Sequence, residues 1–277
     1  MKTKTKLILG IIIGILFLVV IGLAVAFYLI AGWGGYYALF ASKDRTDIME
    51  EKSYTDENGI TLPYRFYCPK DDKESYPLVL FLHGSGERGE DNERQVQVNS
   101  VTDTLLNEKN REQWPCYVVA PQCPKGVTWS TKLMETGSFS PNTEEEMLDA
   151  LTGLVETLQE EYSIDADRIY VIGASMGAHA IWNLLGREPE LFAAAVPICG
   201  CGDPDEAVLV KDIPIWIFHG AKDPTVPVSY SRAMVDALKA VGAENFRYTE
   251  YAGEKHQSWE LAYREKDMFP WLFGQTR

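Results

Sequence analysis

Short, continuously apolar segments recur along the chain, and turn residues bound each of them. A segment that is apolar at every position is typical of a strand buried on both faces, as in a parallel sheet. Between these segments lie stretches with apolar residues at helical spacing. The alternation predicts an α/β fold in which helices cover both faces of a mostly parallel sheet. The predicted strands are 61–67, 78–82, 117–120, 168–172, 193–198, 213–218 and 246–251, and the predicted helices are 143–162, 176–185 and 230–241.

The composition fits a globular protein and argues against two classes of ligand. The chain has 277 residues, of which 46% are hydrophobic, so it can bury a large core. Forty acidic and 26 basic residues give a formal charge of −14, and no Lys/Arg cluster follows residue 6. This charge balance argues against nucleic acid, and against an anionic membrane surface, as the main partner.

The N-terminal segment 1–31 differs from the rest of the chain. Three lysines precede an uncharged run, rich in Ile, Leu and Val, from Leu7 to Ile30. As a helix this run would be roughly 36 Å long, enough to cross a hydrocarbon core of about 30 Å. The lysines favour a cytoplasmic N-terminus, which places the remainder of the chain outside the cytoplasm. We therefore expect a single-pass membrane anchor at 1–31, a juxtamembrane linker at 32–53 and one folded domain at 54–277.

A cleaved signal peptide is the alternative for this segment, and it would make the protein secreted. Ala24-Val25-Ala26 offers a cleavage site of the A-x-A kind. The apolar run, however, is longer than the 7 to 15 residues usual in signal peptides, which favours the uncleaved anchor.

The five cysteines are too few for a disulfide scaffold, and no CxxC pair indicates a zinc site. Cys116 and Cys123 flank a strand end and a Pro-rich loop, so outside the cytoplasm they could form a disulfide. Cys199 and Cys201 are too close in sequence for an unstrained bridge. The other interpretation is that most of the cysteines are small buried residues.

Ser175 is the candidate nucleophile. It lies in Gly173-Ala-Ser-Met-Gly177, directly after one predicted strand and before a predicted helix. The glycines allow backbone to pass close on either side, so the serine can occupy a strained turn with its hydroxyl exposed at the edge of the sheet. A small residue in a structural turn is the alternative, although such a turn would not require serine at its apex.

A serine hydroxyl needs a neighbouring base to accept its proton, and the chain has four histidines. His83 and His219 each end a predicted strand and are expected to form hydrogen bonds within their turns. His179 lies one helical turn after Ser175, too close to reach back over the hydroxyl, and is expected to pack or to line a pocket. His256 follows the last predicted strand in a polar loop and is the predicted base.

A carboxylate must hold the base in one tautomer. Asp223 follows a buried strand directly, and prolines at 224 and 227 restrict its loop, so its carboxylate can point inward. Asp203, after the strand 193–198, is the alternative acid. The chain order is then Ser175, Asp223, His256.

Acyl transfer also requires hydrogen-bond donors for an oxyanion. The glycine-rich stretch 82–89 follows a buried strand, and it lacks the Lys-Ser/Thr ending of a phosphate-binding loop. We expect the backbone N–H of Ser85 to supply one donor and the N–H of Met176, the residue after the nucleophile, to supply the other.

These motifs, taken together and in order, resemble those of a group of α/β-hydrolases. The group includes bacterial carboxylesterases, feruloyl esterases, and the dienelactone hydrolase and prolyl oligopeptidase catalytic domains. The resemblance extends from about residue 54 to 273 and implies an α/β-hydrolase fold, with hydrolysis of carboxylic esters through an acyl-enzyme and without metal or cofactor. The motifs that carry it are Leu-His-Gly-Ser-Gly-Glu-Arg-Gly-Glu-Asp-Asn at 82–92, Ala-Pro-Gln-Cys-Pro at 120–124 with Trp129, Gly-Ala-Ser-Met-Gly at 173–177, Val-Pro-Ile-Cys-Gly at 196–200 and His-Gly-Ala-Lys-Asp-Pro-Thr-Val-Pro at 219–227.

The chain departs from these relatives at Ala178-His179 and at Cys201, positions near the expected substrate pocket. The predicted substrate is a small-molecule or carbohydrate-linked carboxylic ester, such as an acetyl or aryl ester of a polysaccharide. Trp129, Trp182 and Trp259 could form an aromatic platform for a sugar or aryl group, although tryptophan at such positions is also typical of a core. His179 is a further candidate for lining the same pocket.

Two other functions are consistent with the same motifs. A serine peptidase of the prolyl oligopeptidase type would use the same residues, but such enzymes carry a propeller or other gating domain, for which this chain has no sequence. A noncatalytic, membrane-anchored binding module is the other alternative, and the intact Ser, Asp and His set disfavours it. The sequence gives no prediction of oligomeric state.

Overall fold

The seven strands predicted from the sequence belong to one eight-stranded sheet. The computed structural model describes residues 46–70, 74–130 and 144–277. Within them the strands are β1 (Glu50–Thr55), β2 (Thr61–Tyr67), β3 (Tyr76–Leu82), β4 (Tyr117–Pro121), β5 (Ile164–Ala174), β6 (Ala194–Ile198), β7 (Ile215–Gly220) and β8 (Phe246–Tyr251). Every strand predicted from the sequence is present.

The sheet is mostly parallel, as predicted. Its order is β1-β2-β4-β3-β5-β6-β7-β8. The pairs β1/β2 and β2/β4 are antiparallel. The remaining pairs, β4/β3, β3/β5, β5/β6, β6/β7 and β7/β8, are parallel. The parallel strands β3 to β8 therefore end on the same edge of the sheet, where their following loops meet.

Helices lie on both faces of the sheet. In the described residues they are α1 (Arg94–Gln97), α2 (Thr102–Leu105), α3 (Glu108–Gln113), α4 (Glu144–Glu161), α5 (Met176–Arg187), α6 (Ser229–Ala240), α7 (Trp259–Ala262) and α8 (Met268–Leu272), with 3₁₀ turns at Ser85–Glu87 and Pro204–Leu209. The three helices predicted from the sequence correspond to α4, α5 and α6, with ends that differ by at most two residues.

Alternate side chains of each strand enter two separate cores. Leu78 and Leu80 of β3 pack with apolar residues of α4, α5 and α6 on one face, whereas Val79 and Phe81 pack with those of α1, α2, α7 and α8 on the other. All four side chains are fully buried. Burial on both faces explains why these strands are apolar at every position.

The N-terminal boundary differs from the prediction. Strand β1 begins at Glu50 and pairs along its whole length with β2, from Glu50 opposite Phe66 to Thr55 opposite Thr61. The last residues of the predicted linker 32–53 are therefore part of the sheet. As an edge strand with mostly exposed side chains, β1 lacks the apolar pattern that marks the other strands.

The predicted membrane anchor at 1–31 and most of the predicted linker lie outside the described residues. Within the part of the chain that the structure describes, no helix has both the length and the apolar character needed to cross a membrane.

The possible disulfide between Cys116 and Cys123 is not formed. All five cysteines are free thiols, and these two are buried. Strand β4 lies between them, and an extended segment of that length separates its ends by roughly 16 Å, whereas a disulfide requires Cα atoms within about 7 Å.

Candidate active site

Ser175 lies in the turn between β5 and α5. Its φ of 53° and ψ of −116° are a backbone conformation that a residue other than glycine rarely adopts. Its amide donates to the carbonyl of Ile198 at 2.9 Å, which ties the turn to the neighbouring strand β6. Such strain, held in place by the surrounding sheet, is common at functional sites.

The two glycines that flank Ser175 are required by close backbone packing. A Cβ at Gly177 would overlap the carbonyl of Leu82, and a Cβ at Gly173 would approach the backbone of Gly177 at 2.8 Å. The first turn of α5 therefore rests directly against the end of β3. This contact brings Ser175 next to the loop that follows β3.

Ser175, His256 and Asp223 are brought together in one hydrogen-bonded series. His256 Nε2 lies 2.9 Å from Ser175 Oγ, and His256 Nδ1 lies 2.7 Å from Asp223 Oδ2. Each residue follows a strand at the same edge of the sheet, β5 for the serine, β7 for the aspartate and β8 for the histidine. In this geometry the serine hydroxyl can donate to a histidine whose other nitrogen donates to the carboxylate.

The carboxylate of Asp223 is buried and held at both oxygens. The backbone N–H groups of Thr225 and Val226 donate to Oδ1 at 2.8 and 2.9 Å. Burial alone would raise the pKa of this carboxyl, but the hydrogen bonds from His219, His256 and the Val226 amide outweigh it and hold the pKa well below its usual range. Asp223 therefore remains a carboxylate throughout the neutral pH range.

His219 also reaches the carboxylate, which the sequence did not predict. Its Nε2 lies 3.2 Å from Asp223 Oδ2 and 2.9 Å from the carbonyl of Val226. Its Nδ1 lies 2.7 Å from Ser231 Oγ. The ring is fully buried at the end of β7. The sequence signal for this contact is the spacing of four residues between His219 and Asp223 across a tight turn.

The predicted oxyanion donors, the N–H groups of Ser85 and Met176, both lie at the first position of a helical segment. Ser85 opens the 3₁₀ turn after β3, and Met176 opens α5. N–H groups at this position have no acceptor within their own helix. Gly84, which precedes Ser85, lies against Ser175, because a Cβ at Gly84 would be 3.7 Å from Ser175 Cβ. The two predicted donors therefore lie on segments that adjoin Ser175.

His83 and Asp203 have other roles. His83 donates from Nδ1 to the carbonyl of Gly84 at 2.6 Å, and its Nε2 accepts from the amide of Cys123 at 2.9 Å. Burial lowers the pKa of His83 to about 4, so the ring is neutral. Asp203, the alternative acid, caps the following 3₁₀ turn by accepting from the amide of Asp205. Neither residue belongs to the series at Ser175.

The predicted tryptophan platform is not present. Trp129, Trp182 and Trp259 are 0%, 5% and 7% exposed, so none offers a ring face to solvent. Trp129 donates its indole N–H to the carbonyl of His83, and Trp182 packs beside Gly202. Trp259 packs edge-on against the imidazole of His256 at 5.4 Å between ring centres. These side chains support the site from within the core.

His179 and Cys201, at which this chain departs from the motifs of the resembled esterases, contact each other. His179 Nδ1 lies 3.0 Å from Cys201 Sγ and accepts from the Cys201 amide at 3.3 Å. Burial, with a smaller contribution from His256, lowers the pKa of His179 to about 4, and burial raises the pKa of the Cys201 thiol to about 11. The pair is therefore a neutral imidazole and a neutral thiol at the first turn of α5.

One group of described residues combines potential metal ligands. Cys199, Asp223 and His256 each have a ligand atom within 4.8 Å of the others. Metal binding there would have to break the 2.7 Å bond between His256 and Asp223. It would also need the Cys199 thiolate, whereas burial raises the pKa of this thiol. The donor set fits a hydrogen-bonded series better than a metal centre.

The mostly parallel sheet and the serine in the strand-to-helix turn define the class of α/β-hydrolases. Within that class, this chain belongs to the phospholipase/carboxylesterase family, whose sequence profile matches residues 66–265. The resemblance inferred from the motifs is thereby confirmed.

Individual relatives are esterases by their names. A thermostable esterase of known crystal structure is 40% identical with a TM-score of 0.77, over 84% of this chain and 64% of that one. A putative esterase, NocK, from Nocardia uniformis is 28% identical over 67% of this chain and 52% of its own length. A bifunctional acetylxylan esterase/xylanase from Neocallimastix patriciarum is 24% identical over 61% of this chain. This chain spans 22% of the length of that enzyme.

Proposed function

We propose that the protein is a serine hydrolase that cleaves carboxylic esters through an acyl-enzyme. The observation that carries the proposal is the series from Ser175 Oγ to His256 Nε2 at 2.9 Å and from His256 Nδ1 to Asp223 Oδ2 at 2.7 Å. In it, Ser175 is the nucleophile, His256 the general base and Asp223 the group that orients the base. Membership of the phospholipase/carboxylesterase family supports the same reaction.

The tautomer of His256 follows from its partners. Asp223 is ionised and can only accept, so the proton lies on Nδ1 and Nε2 is free to accept from the serine hydroxyl. As Ser175 Oγ attacks the ester carbonyl carbon, its proton moves to Nε2. The imidazolium then protonates the leaving alcohol, and a water molecule, deprotonated in turn by His256, releases the acid and restores Ser175.

The negative charge that develops on the carbonyl oxygen needs donors. The N–H groups of Ser85 and Met176 are proposed for this role, and the amino-terminal end of α5 adds a favourable helix dipole. Each donor of this kind contributes about 3 kcal/mol to stabilisation of the transition state.

For the substrate we propose an acetyl or aryl ester, including esters carried on polysaccharides. The acetylxylan esterase/xylanase relative supports this class. For location we propose a catalytic domain outside the cytoplasm, held by a single-pass anchor at 1–31 or secreted after its cleavage. A relative from Arthroderma benhamiae is described as a secreted protein, which supports a non-cytoplasmic location.

The test uses the full-length protein and its Ser175→Ala variant. The wild type is expected to hydrolyse p-nitrophenyl acetate and to react covalently with a fluorophosphonate probe, while the variant loses both, at least about a thousandfold in kcat, because the nucleophile is missing. Equal melting temperatures would show that the fold is intact. Residual hydrolysis above about a hundredth of wild type would refute the role of Ser175. Faster cleavage of a dipeptide amide than of the ester would favour a peptidase, and a folded wild type inert to the probe would favour a binding module.

A further inference from the structure

His219 is a fourth buried side chain at the site, beyond the three that carry the proposed chemistry. It ends strand β7, four residues before Asp223. Its ring contacts the carboxylate of Asp223, the backbone of the loop that carries Asp223, and helix α6 through Ser231. Side chains of both His219 and Asp223 have no exposure to solvent. Water therefore does not compete for these contacts.

The protonation of His219 follows from the same kind of argument as for His256. Nε2 faces two groups that can only accept, the carbonyl of Val226 at 2.9 Å and Asp223 Oδ2 at 3.2 Å. Nε2 must therefore carry a proton, which the two oxygens share. Nδ1 lies 2.7 Å from the hydroxyl of Ser231, which can donate to it. Ser231 Oγ also lies 3.4 Å from the carbonyl of Gly200, so its single hydrogen goes to the closer acceptor, Nδ1, and His219 donates to the acid through Nε2.

We propose that His219 is a positioning residue that acts through Asp223 on the general base His256. The Nε2–H of His219 contacts both the carboxylate of Asp223 and the carbonyl of Val226, which lies in the same loop. It therefore fixes the orientation of the Asp223 carboxylate relative to the backbone of that loop. The same N–H withdraws negative charge from Oδ2, the oxygen that binds His256. The inference rests on the proposed function, because it assigns a role within the same site.

The arrangement gives Oδ2 two imidazole donors and Oδ1 two backbone donors. A carboxylate with a full set of donors cannot rotate without breaking several of them. The shorter 2.7 Å contact goes to His256 and the longer 3.2 Å contact to His219. His219 therefore complements the bond to the base without replacing it.

Three other titratable groups face this pair. His256 faces Asp223 from its loop, Cys199 faces it from the end of β6, and Glu250 of β8 pairs in register with His219. Glu250 is neutralised by Arg232 at 2.6 Å, and burial keeps Cys199 in its thiol form. Glu250 and Cys199 therefore add no uncompensated charge beside the contact between His219 and Asp223.

Loss of the His219 donor has a defined effect on the pH profile. Without that N–H, more negative charge remains on Oδ2, and this charge stabilises the imidazolium form of His256. The acid limb of kcat/KM, which reports protonation of the base, is expected to move to higher pH by about half a unit. Simple loosening of the loop would lower kcat without moving this limb.

The experiment compares two variants of the full-length protein. His219→Leu removes the donor at similar volume, whereas His219→Gln places an amide N–H near the position of Nε2. For hydrolysis of p-nitrophenyl acetate we expect the leucine variant to lose about tenfold to a hundredfold in kcat and to show the shifted acid limb. The glutamine variant is expected to stay within about threefold of wild type with an unshifted limb. Melting temperatures report folding of both.

A double variant keeps the inference testable if the leucine variant is less stable. In an Asp223→Asn background, His219→Leu should cause no further loss in kcat, because the carboxylate on which it acts is gone. Additive losses, equal losses in the leucine and glutamine variants, or an unmoved acid limb would each overturn the inference.

The labelling rate of Ser175 by the fluorophosphonate probe supplies a readout independent of the ester. An inert wild type would contradict the proposed function, whereas a reactive wild type with an equally reactive leucine variant would contradict only the role of His219.

Discussion

Replacement of Asp223 by asparagine tests the hydrogen bonding of the site most directly. The amide oxygen can take the place of Oδ1, which accepts from the backbone N–H groups of Thr225 and Val226 at 2.8 and 2.9 Å. The amide NH₂ then occupies the position of Oδ2. There it faces the Nδ1–H of His256 at 2.7 Å and the Nε2–H of His219 at 3.2 Å. Three donors would meet with no acceptor among them.

The conflict at His256 is relieved when its imidazole changes tautomer, whereas the Nε2–H of His219 keeps the carbonyl of Val226 as its acceptor. Nδ1 then accepts from the new amide, and the proton moves to Nε2, which faces Ser175 Oγ at 2.9 Å. An Nε2 that carries a proton cannot accept one from the serine, so general-base catalysis is lost although the side chains hardly move. A wrong tautomer of this kind reduces kcat by about 10⁴.

The assay is the kcat for hydrolysis of p-nitrophenyl acetate at about pH 8. Asp203→Asn is the matched control, because Asp203 caps a 3₁₀ turn by accepting from the amide of Asp205 and asparagine caps equally well. We expect the control to stay within about twofold of wild type. An Asp223→Asn variant that keeps more than about a hundredth of wild-type kcat would falsify the assignment of Asp223. A greater loss in Asp203→Asn would transfer the role to that residue.

Three further outcomes are expected. In the Gly177→Ala variant the new methyl group would overlap the backbone carbonyl of Leu82. Urea denaturation should therefore show a loss of about 2 kcal/mol in the free energy of unfolding. An unchanged free energy of unfolding would contradict this packing. Burial lowers the pKa of His83 and His179 to about 4 in the folded protein, so below about pH 6.5 the unfolded chain binds more protons than the folded one. The free energy of unfolding should therefore fall as the pH is lowered from about 6.5 to 4. Equal free energies of unfolding at about pH 7 and pH 5 would refute this prediction. Cys201→Ala removes the thiol from His179, so the ratio of kcat/KM between acetyl and longer acyl esters should change; an unchanged ratio would place the pair outside the substrate pocket.

Most of the fold could be predicted from the sequence because the sheet is buried on both faces. Strands such as β3 and β7 are buried at every position, and a short, mostly apolar run bounded by turn residues is typical of such strands. Strand β1 was missed for the converse reason, since its side chains are largely exposed and its pairing with β2 depends on register. Pairing of an exposed edge strand leaves no apolar pattern in the sequence.

The site residues were predicted from position rather than from contacts. Parallel strands end on one edge of the sheet, so residues that follow β5, β7 and β8 within a few positions are expected to lie near each other. The structure places Ser175, Asp223 and His256 there. The contact of His219 with the carboxylate depends on how tightly the chain turns after β7. The burial of Trp129 and Trp182 depends on helix packing. The spacing of four residues between His219 and Asp223 is compatible with their contact, but residue spacing alone determines neither how tightly the chain turns nor how the helices pack.

The pair formed by His179 and Cys201 indicates how this site can differ from those of its relatives without a change in chemistry. Both residues lie on segments that adjoin Ser175, the first turn of α5 and the loop after β6, but neither is bonded to the Ser175–His256–Asp223 series. A neutral imidazole next to a neutral thiol adds no charge that would perturb His256 as a base. Substitution there can therefore change the shape and polarity of the proposed pocket while the proposed base, acid and oxyanion donors keep their positions. For this reason the esterase relatives support the reaction type more strongly than any one acyl group.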